Sequence, residues 1–278
     1  MRTFIGLALA LVCGNALAWQ ECRFSAERNL DIDPAGLKSL QLVLGSNDAH
    51  VEGVSGSQRV EVRGKACASD ESWLKDLTVQ QERKGDRATV TASRNHDFHF
   101  NLSGSNYAYV QLEVRLPPEL LVEVDAGSGD ADVSRVAALT FGAGSGDLKA
   151  NHIAGDVTVK VGSGDVVIDD LGNLAIERVG SGDVRASQVR GEVKVGHVGS
   201  GDLRLKDIKG GVNVEAIGSG DLVVDRAGGD VVVGSIGSGD VTVDGVGGNF
   251  IVHSAGSGDL HHHNVTGHVE VPKRHAYD

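Results

Sequence analysis

Proline is scarce in this chain, 4 of 278 residues, which excludes a collagen-like fibre or a proline-rich linker. Basic residues are also few: 26 Lys and Arg stand against 38 Asp and Glu, a formal charge of −12. No basic stripe interrupts that balance, so nucleic acid is excluded as a partner and anionic membrane surface is disfavoured. No apolar run reaches the roughly 20 residues that a bilayer span needs, so an integral membrane protein is not expected. There are three cysteines, without CxxC or metal-ligand spacing, which argues against redox catalysis and against zinc at these positions.

The N-terminus has the layout of an export signal. Arg2 supplies charge, Phe4 to Val12 is apolar, and Asn15-Ala16-Leu17-Ala18 places small residues before a cut after Ala18. Val12 before Cys13 does not suit lipoprotein processing, which wants a small residue there. The expected product is periplasmic or secreted, and loss of Arg2 takes its charge to −13. Cys22 and Cys67 remain, an even number in an oxidising compartment, and are expected to form a disulfide.

Glycine is abundant, 39 residues, about twice the usual fraction, and it is placed at regular offsets. Gly-Ser-Gly-Asp recurs with its Asp at 130, 147, 165, 183, 202, 221, 240 and 259. A degenerate copy is Gly45-Ser46-Asn47-Asp48. Between copies, apolar residues step by two within short runs: Val193 and Val195, Leu203 and Leu205, Val212 and Val214. That is strand periodicity. Larger steps mark corners: one carries Gly-Ser-Gly-Asp, and the mid-repeat one is marked by Gly155, Gly172, Gly191, Gly210, Gly229, Gly248 and Gly267. Each repeat is thus two short strands and two corners. A unit this short cannot bury its own apolar face, whereas stacked copies can, each strand pairing in parallel with its copy in the next coil. The fold expected is all-β: a parallel β-solenoid, or single-stranded β-helix, with coils of 17–19 residues.

Glycine at 182, 201, 220 and 239 is expected to supply positive φ at the tight corner. The aspartate after it is expected to accept the amide two residues on, as an Asx-turn. Residues 1–18 are the signal peptide and 19–126 an irregular β lead-in that caps the stack. The regular solenoid covers 127–271, and 272–278 form a C-terminal tail. Within the lead-in, residues 42–62 read as one coil using Ala49, Val51, Val54, Val60 and Val62. Leu77 to Gln81 and Ala88 to Ala92 read as two strands around Lys84-Gly85-Asp86.

Gly-Ser-Gly-Asp-Val/Leu-x-Val/Leu repeats behind a signal peptide and an imperfect β lead-in resemble the bacterial "putative adhesin" domain family of exported β-helical proteins, over about residues 40–271. The resemblance implies the fold and an envelope location, and it carries no catalytic residues.

Three constellations bear on chemistry. Stacked carboxylates such as Asp183, Asp202, Asp221 and Asp240 would repel one another, and calcium, a hard cation that takes oxygen ligands, is the candidate to relieve them. Calcium-binding nonapeptide repeats, however, carry an extra residue before the Asp and half the coil length. His253, His261 and His263 are candidate zinc or copper ligands on neighbouring coils, while His262 takes an inward slot and caps the stack. No histidine recurs beside the serine column, and the outward residues vary from coil to coil, so no catalytic set converges. The expectation is therefore a non-enzymatic structural or adhesin-like module of the bacterial envelope, without a cofactor, whose partner is an envelope protein or glycan. The alternatives are a polysaccharide-active β-helix enzyme or a calcium-binding repeat protein.

Overall fold

Strands rich in Val, Ile and Leu with a step of two carry one apolar face, which a facing sheet can cover. In the computed structural model, which describes residues 22–94 and 106–272, two facing sheets share one core. The expected signal segment 1–18 and residues 273–278 lie outside the described residues.

Nine strands make up the lead-in: β1 (Phe24–Glu27), β2 (Leu30–Ile32), β3 (Ser39–Gly45), β4 (Asp48–Gly53), β5 (Val60–Ala68), β6 (Leu77–Lys84), β7 (Arg87–Arg94), β8 (Ala108–Leu116) and β9 (Leu121–Ala126). The coils follow in pairs. They are β10 (Ala131–Ser134) with β11 (Ala138–Ala143), β12 (Leu148–Asn151) with β13 (Val157–Val161), β14 (Val166–Leu171) with β15 (Leu174–Val179), and β16 (Val184–Val189) with β17 (Val193–Val198). Then come β18 (Leu203–Ile208) with β19 (Val212–Ile217), β20 (Leu222–Ala227) with β21 (Val231–Ile236), β22 (Val241–Val246) with β23 (Phe250–Ala255), and β24 (Leu260–Val265) with β25 (Val269–Glu270).

Every even strand from β10 to β24 joins the first sheet and every odd strand from β11 to β25 the second, each paired in parallel with its copy one coil on. The solenoid is two-sided. Eight coils extend about 38 Å at the usual strand spacing. Inward residues are almost wholly covered: Val195, Ile208 and Val214 are 2%, 2% and 0% exposed, and Phe141 and Phe250 fill inward slots.

The lead-in departs from the expected path in one respect. The strands β3 and β4 form a coil around Gly45-Ser46-Asn47-Asp48 that inserts between later strands. β4 pairs with β8 and β10, and β3 with β7 and β9. Val60 and Val62 do not belong to that coil. The turn at Gly56, with φ +78°, reverses the chain, and β5 runs antiparallel to β1, β2 and β8. Antiparallel pairing needs only such a short reversal, whereas continuing the coil would need a full crossover. The hairpin β6–β7 closes the second sheet, and Trp73 and Leu74, on a 3-10 turn at Glu71–Asp76, pack against the core at the same end. Cys22 and Cys67 are disulfide-bonded, with their Cα atoms 5.4 Å apart, which ties the start of the described chain to β5.

A second corner device was not anticipated. Arg135, His152, Asp170, Gln188, Asp207, Arg226 and Asn264 all have φ between +52° and +66°, and Gly245 stands at the same place with φ +73°. In Val166–Leu171, for example, Asp170 follows outward Asp169 and precedes inward Leu171, so one left-handed residue resets the alternation before the chain leaves the first sheet. Asp170, Asp207, Gly245 and Asn264 are of types that adopt this conformation readily; Arg135, Gln188 and Arg226 are not, and the mixture hid the position.

The stack makes a direct demand on its core. Ile208→Ala should lower stability by about 2–4 kcal/mol, through lost transfer energy and a cavity. The outward Lys194→Ala should cost under about 0.5 kcal/mol. Chemical denaturation of the two variants measures both, and equal losses would contradict the inward–outward assignment.

Candidate functional site

The Gly-Ser-Gly-Asp corner works differently from expectation. None of Gly182, Gly201, Gly220 and Gly239 has positive φ. What they lack room for is a side chain. A Cβ on Gly201 would lie 1.8 Å from the Gly182 carbonyl oxygen, and Gly182, Gly220 and Gly239 meet the corner before them at 1.8, 1.9 and 1.9 Å. Real Cβ atoms do not approach so closely, so glycine is required by stacking of backbone on backbone.

The aspartates do not form Asx-turns with their own strands either. Each carboxylate accepts the backbone N–H of the aspartate one coil later. Asp183 Oδ1 takes Asp202 N–H at 3.0 Å, Asp202 Oδ1 takes Asp221 N–H at 3.0 Å, and Asp221 Oδ1 takes Asp240 N–H at 2.8 Å. The same ladder runs from Asp48 through Asp130, Asp147 and Asp165 at one end to Asp259 at the other. It satisfies a corner amide that the strand ladders do not reach. A shorter ladder of the same kind runs along the second corner, where Asp230 accepts Asn249 N–H at 2.7 Å and Asn249 accepts His268 N–H at 2.8 Å.

Asn47 ends the glycine column in a purposeful way. It stands where glycine stands in every later copy, buried, and its side chain takes Val110 N–H at 2.7 Å and donates to Leu44 O at 2.7 Å. The partners it reaches on β7 and β8 are strand backbone, not another Gly-Ser-Gly-Asp corner. Here a side chain has room and plugs the end.

The ladder also bears on metal binding. The Oδ1 atoms already accept hydrogen bonds, and the second oxygens of Asp183 and Asp202 face Arg185 and Arg204 at 3.0 and 2.9 Å. The repulsion in the column is thus met by amides and guanidinium groups. Of the histidines, His261 and His263 point outward from the first sheet and His253 outward from the second, so the core lies between them. His262 turns inward against Phe250, with ring centroids 6.1 Å apart. Among the described residues, no group of three or more His, Cys, Asp or Glu is placed to hold a metal ion.

Concave space lies elsewhere, on the outer face of the first sheet. An open groove of about 600 Å³ crosses β8, β4, β10 and β12. Strand register lines up Glu113, His50, Asp132 and Lys149 across its floor, one per strand. His50 Nδ1 is 3.6 Å from Asp132 Oδ2, and Asp130 and Asp147 also line the groove. A second groove of about 590 Å³ adjoins it, sharing Gln111 and Glu113 and reaching Arg63, the cross-strand partner of Glu113. The result is a row of polar and charged side chains, Arg63–Glu113–His50–Asp132–Lys149, on the outer face of the first sheet. The sequence could not show it, because residues 50, 113 and 132 meet only through the inserted coil. Among the described residues no helix is long and apolar enough to cross a membrane.

Comparison with known proteins agrees with this architecture. The model of the family described as Toastrack DUF4097 matches residues 59–272. Two solved structures from Parabacteroides distasonis share the fold. One, named a "putative adhesin", is 14% identical with a TM-score of 0.52, covering 85% of this chain and 97% of that one. The other, named a "putative lipid binding protein", is 16% identical with a TM-score of 0.51, covering 88% of this chain and 96% of that one. No curated protein matches the chain.

The corner separates its two roles by substitution. Gly201→Ala should cost more than about 2 kcal/mol, because backbone must move. Asp202→Asn should be mild, since an amide oxygen still accepts the Asp221 N–H and repulsion along the column falls. Thermal melts in calcium and in chelator should differ little for the parent. A large calcium-dependent rise, abolished in Asp202→Asn, would make the column a metal site.

Acid provides a second reading. The Asp221 N–H holds the Asp202 carboxyl below the usual carboxylate range; burial opposes this and Arg204 reinforces it. A depressed folded value contributes stability above the unfolded value, near pH 3.9, that disappears as pH falls through the folded one. Below about pH 4, Asp202→Asn should therefore lose less stability than the parent, as acid unfolding would measure.

Proposed function

The chain belongs to the Toastrack DUF4097 family, and from that premise we propose that it is an exported, non-enzymatic binding module of the bacterial envelope. It presents the outer face of its first sheet to a glycan or protein partner. One observation carries this reading: the row Arg63–Glu113–His50–Asp132–Lys149 floors two adjoining grooves on a face that cannot rearrange, because each strand is paired on both sides. Preorganised donors and acceptors in a fixed row suit recognition of a polar, extended partner.

Export is supported by the signal-like segment 1–18 and by the Cys22–Cys67 disulfide, since such bonds persist in oxidising compartments. The adhesin name given to a solved structure of the same fold is in keeping with a binding role. The mature chain then comprises the cap 19–126, the solenoid 127–271 and the tail 272–278. Calcium and other cofactors have no part in this reading.

Binding of the purified mature protein to intact cells and to isolated peptidoglycan tests the reading. The triple variant His50→Ala, Asp132→Ala, Lys149→Ala should bind at least about tenfold more weakly, roughly 1.4 kcal/mol, with an unchanged melting temperature. Undiminished binding by the variant would refute the assigned face. Release of reducing sugar ends from envelope polysaccharide would instead favour an enzyme.

A further inference from the structure

The two ends of the solenoid are finished differently. At the N-terminal end, β1, β2 and β5 run antiparallel, the hairpin β6–β7 closes the second sheet, and the edge strand β6 ends in Glu82, Arg83 and Lys84. Charged residues and reversed strands are how proteins protect a sheet edge from pairing with another chain.

The last coil has no reversed strand and no charged hairpin; its one charged residue, Glu270, lies on the two-residue strand β25. Its edge strand Leu260–Val265 contains no Asp, Glu, Lys, Arg or Pro, and residues 260–272 carry one formal charge, on Glu270. Its inward residues Leu260, Val265 and Val269 are only partly buried and inward His262 is exposed, whereas their counterparts Val241, Val246, Phe250 and Val243 are 0%, 1%, 0% and 0% exposed. The backbone is also aimed forward. In the first sheet Leu222 N–H donates to Asp240 O and Val241 N–H to Asp259 O, and in the second Val231 N–H donates to Asn249 O and Phe250 N–H to His268 O. By the same register, Leu260 and Val269 aim their N–H groups beyond the last coil, where no further coil stands among the described residues.

We propose that this end is an interface between two copies of the chain, joined tail to tail about a two-fold axis. The axis runs normal to the sheets, so β24 meets its own copy antiparallel and β25 does the same in the second sheet. A single added strand would fill one edge and leave the other bare. A second solenoid end offers two edges at the same sheet-to-sheet spacing, and the protected N-terminal end does not. The contact is self-complementary and closes, as a two-fold interface must. It joins the two cores through their partly covered apolar residues. The weakly charged end lets two acidic molecules approach. This surface is separate from the grooved face, which stays open in the pair.

Sedimentation of the full mature chain at micromolar concentration tests this. The parent should have twice the chain mass, and Val269→Pro, which removes a forward donor, should have the single-chain mass with an unchanged melting temperature. His263→Cys should be joined to its copy by a short bis-maleimide, and Lys84→Cys at the N-terminal end should not. A monomeric parent overturns the proposal. So does a Val269→Pro variant that remains dimeric, or linkage through Lys84→Cys alone.

Discussion

The closest approach in this molecule is of backbone to backbone at the corners. The carbonyl of one corner occupies the place where the next corner's Cβ would be. That contact holds each Gly-Ser-Gly-Asp directly over the last. It thereby keeps the strands in register and lets the apolar columns fall into line. Strand pairing alone would tolerate a slip, since a Val column over a Val column looks much the same two residues out of step. The corners would not, because any residue but glycine there collides with its neighbour. The aspartate ladder depends on the same alignment, with each carboxylate within 3.0 Å of the next corner's amide only while the corners coincide.

The periodic part of this arrangement is legible from sequence because it repeats. The two strands per coil, the inward columns at Val195 and Ile208, and the hairpin around Gly85 all follow from residue spacing. The reason for the glycines was legible only in part. Composition says that a side chain is unwelcome, but positive φ and close packing leave the same mark in a sequence, and coordinates are needed to separate them. The aspartate is similar. A residue that precedes each strand suggests a bond within its own coil, while the partner actually lies 18 or 19 residues away. Conversely, the residues that do take positive φ, such as Gln188 and Arg226, are of types that give no warning.

The candidate face was not legible at all. Its row is assembled from β5, β8, β4, β10 and β12, which are out of chain order because the coil at 39–53 inserts between strands that come later. Spacing along a sequence reports neighbours within one coil or one repeat, and an insertion of this kind has no period. The Asn47 plug is an intermediate case. The degenerate Gly45-Ser46-Asn47-Asp48 is visible as a worn repeat, yet its asparagine is worn to a purpose, bonding β8 and β7 where the glycine column stops.

The aspartate ladder has a direction. From Asp48 to Asp240, each carboxylate receives from the coil that stacks after it and none from the coil before. A coil therefore offers a prepared acceptor to its successor as soon as it is in place, and the successor's amide is the piece still missing. Nearest-neighbour coupling of this kind makes the number of coils a free parameter. A whole 19-residue unit can be gained or lost, and each junction still finds the acceptor that it expects.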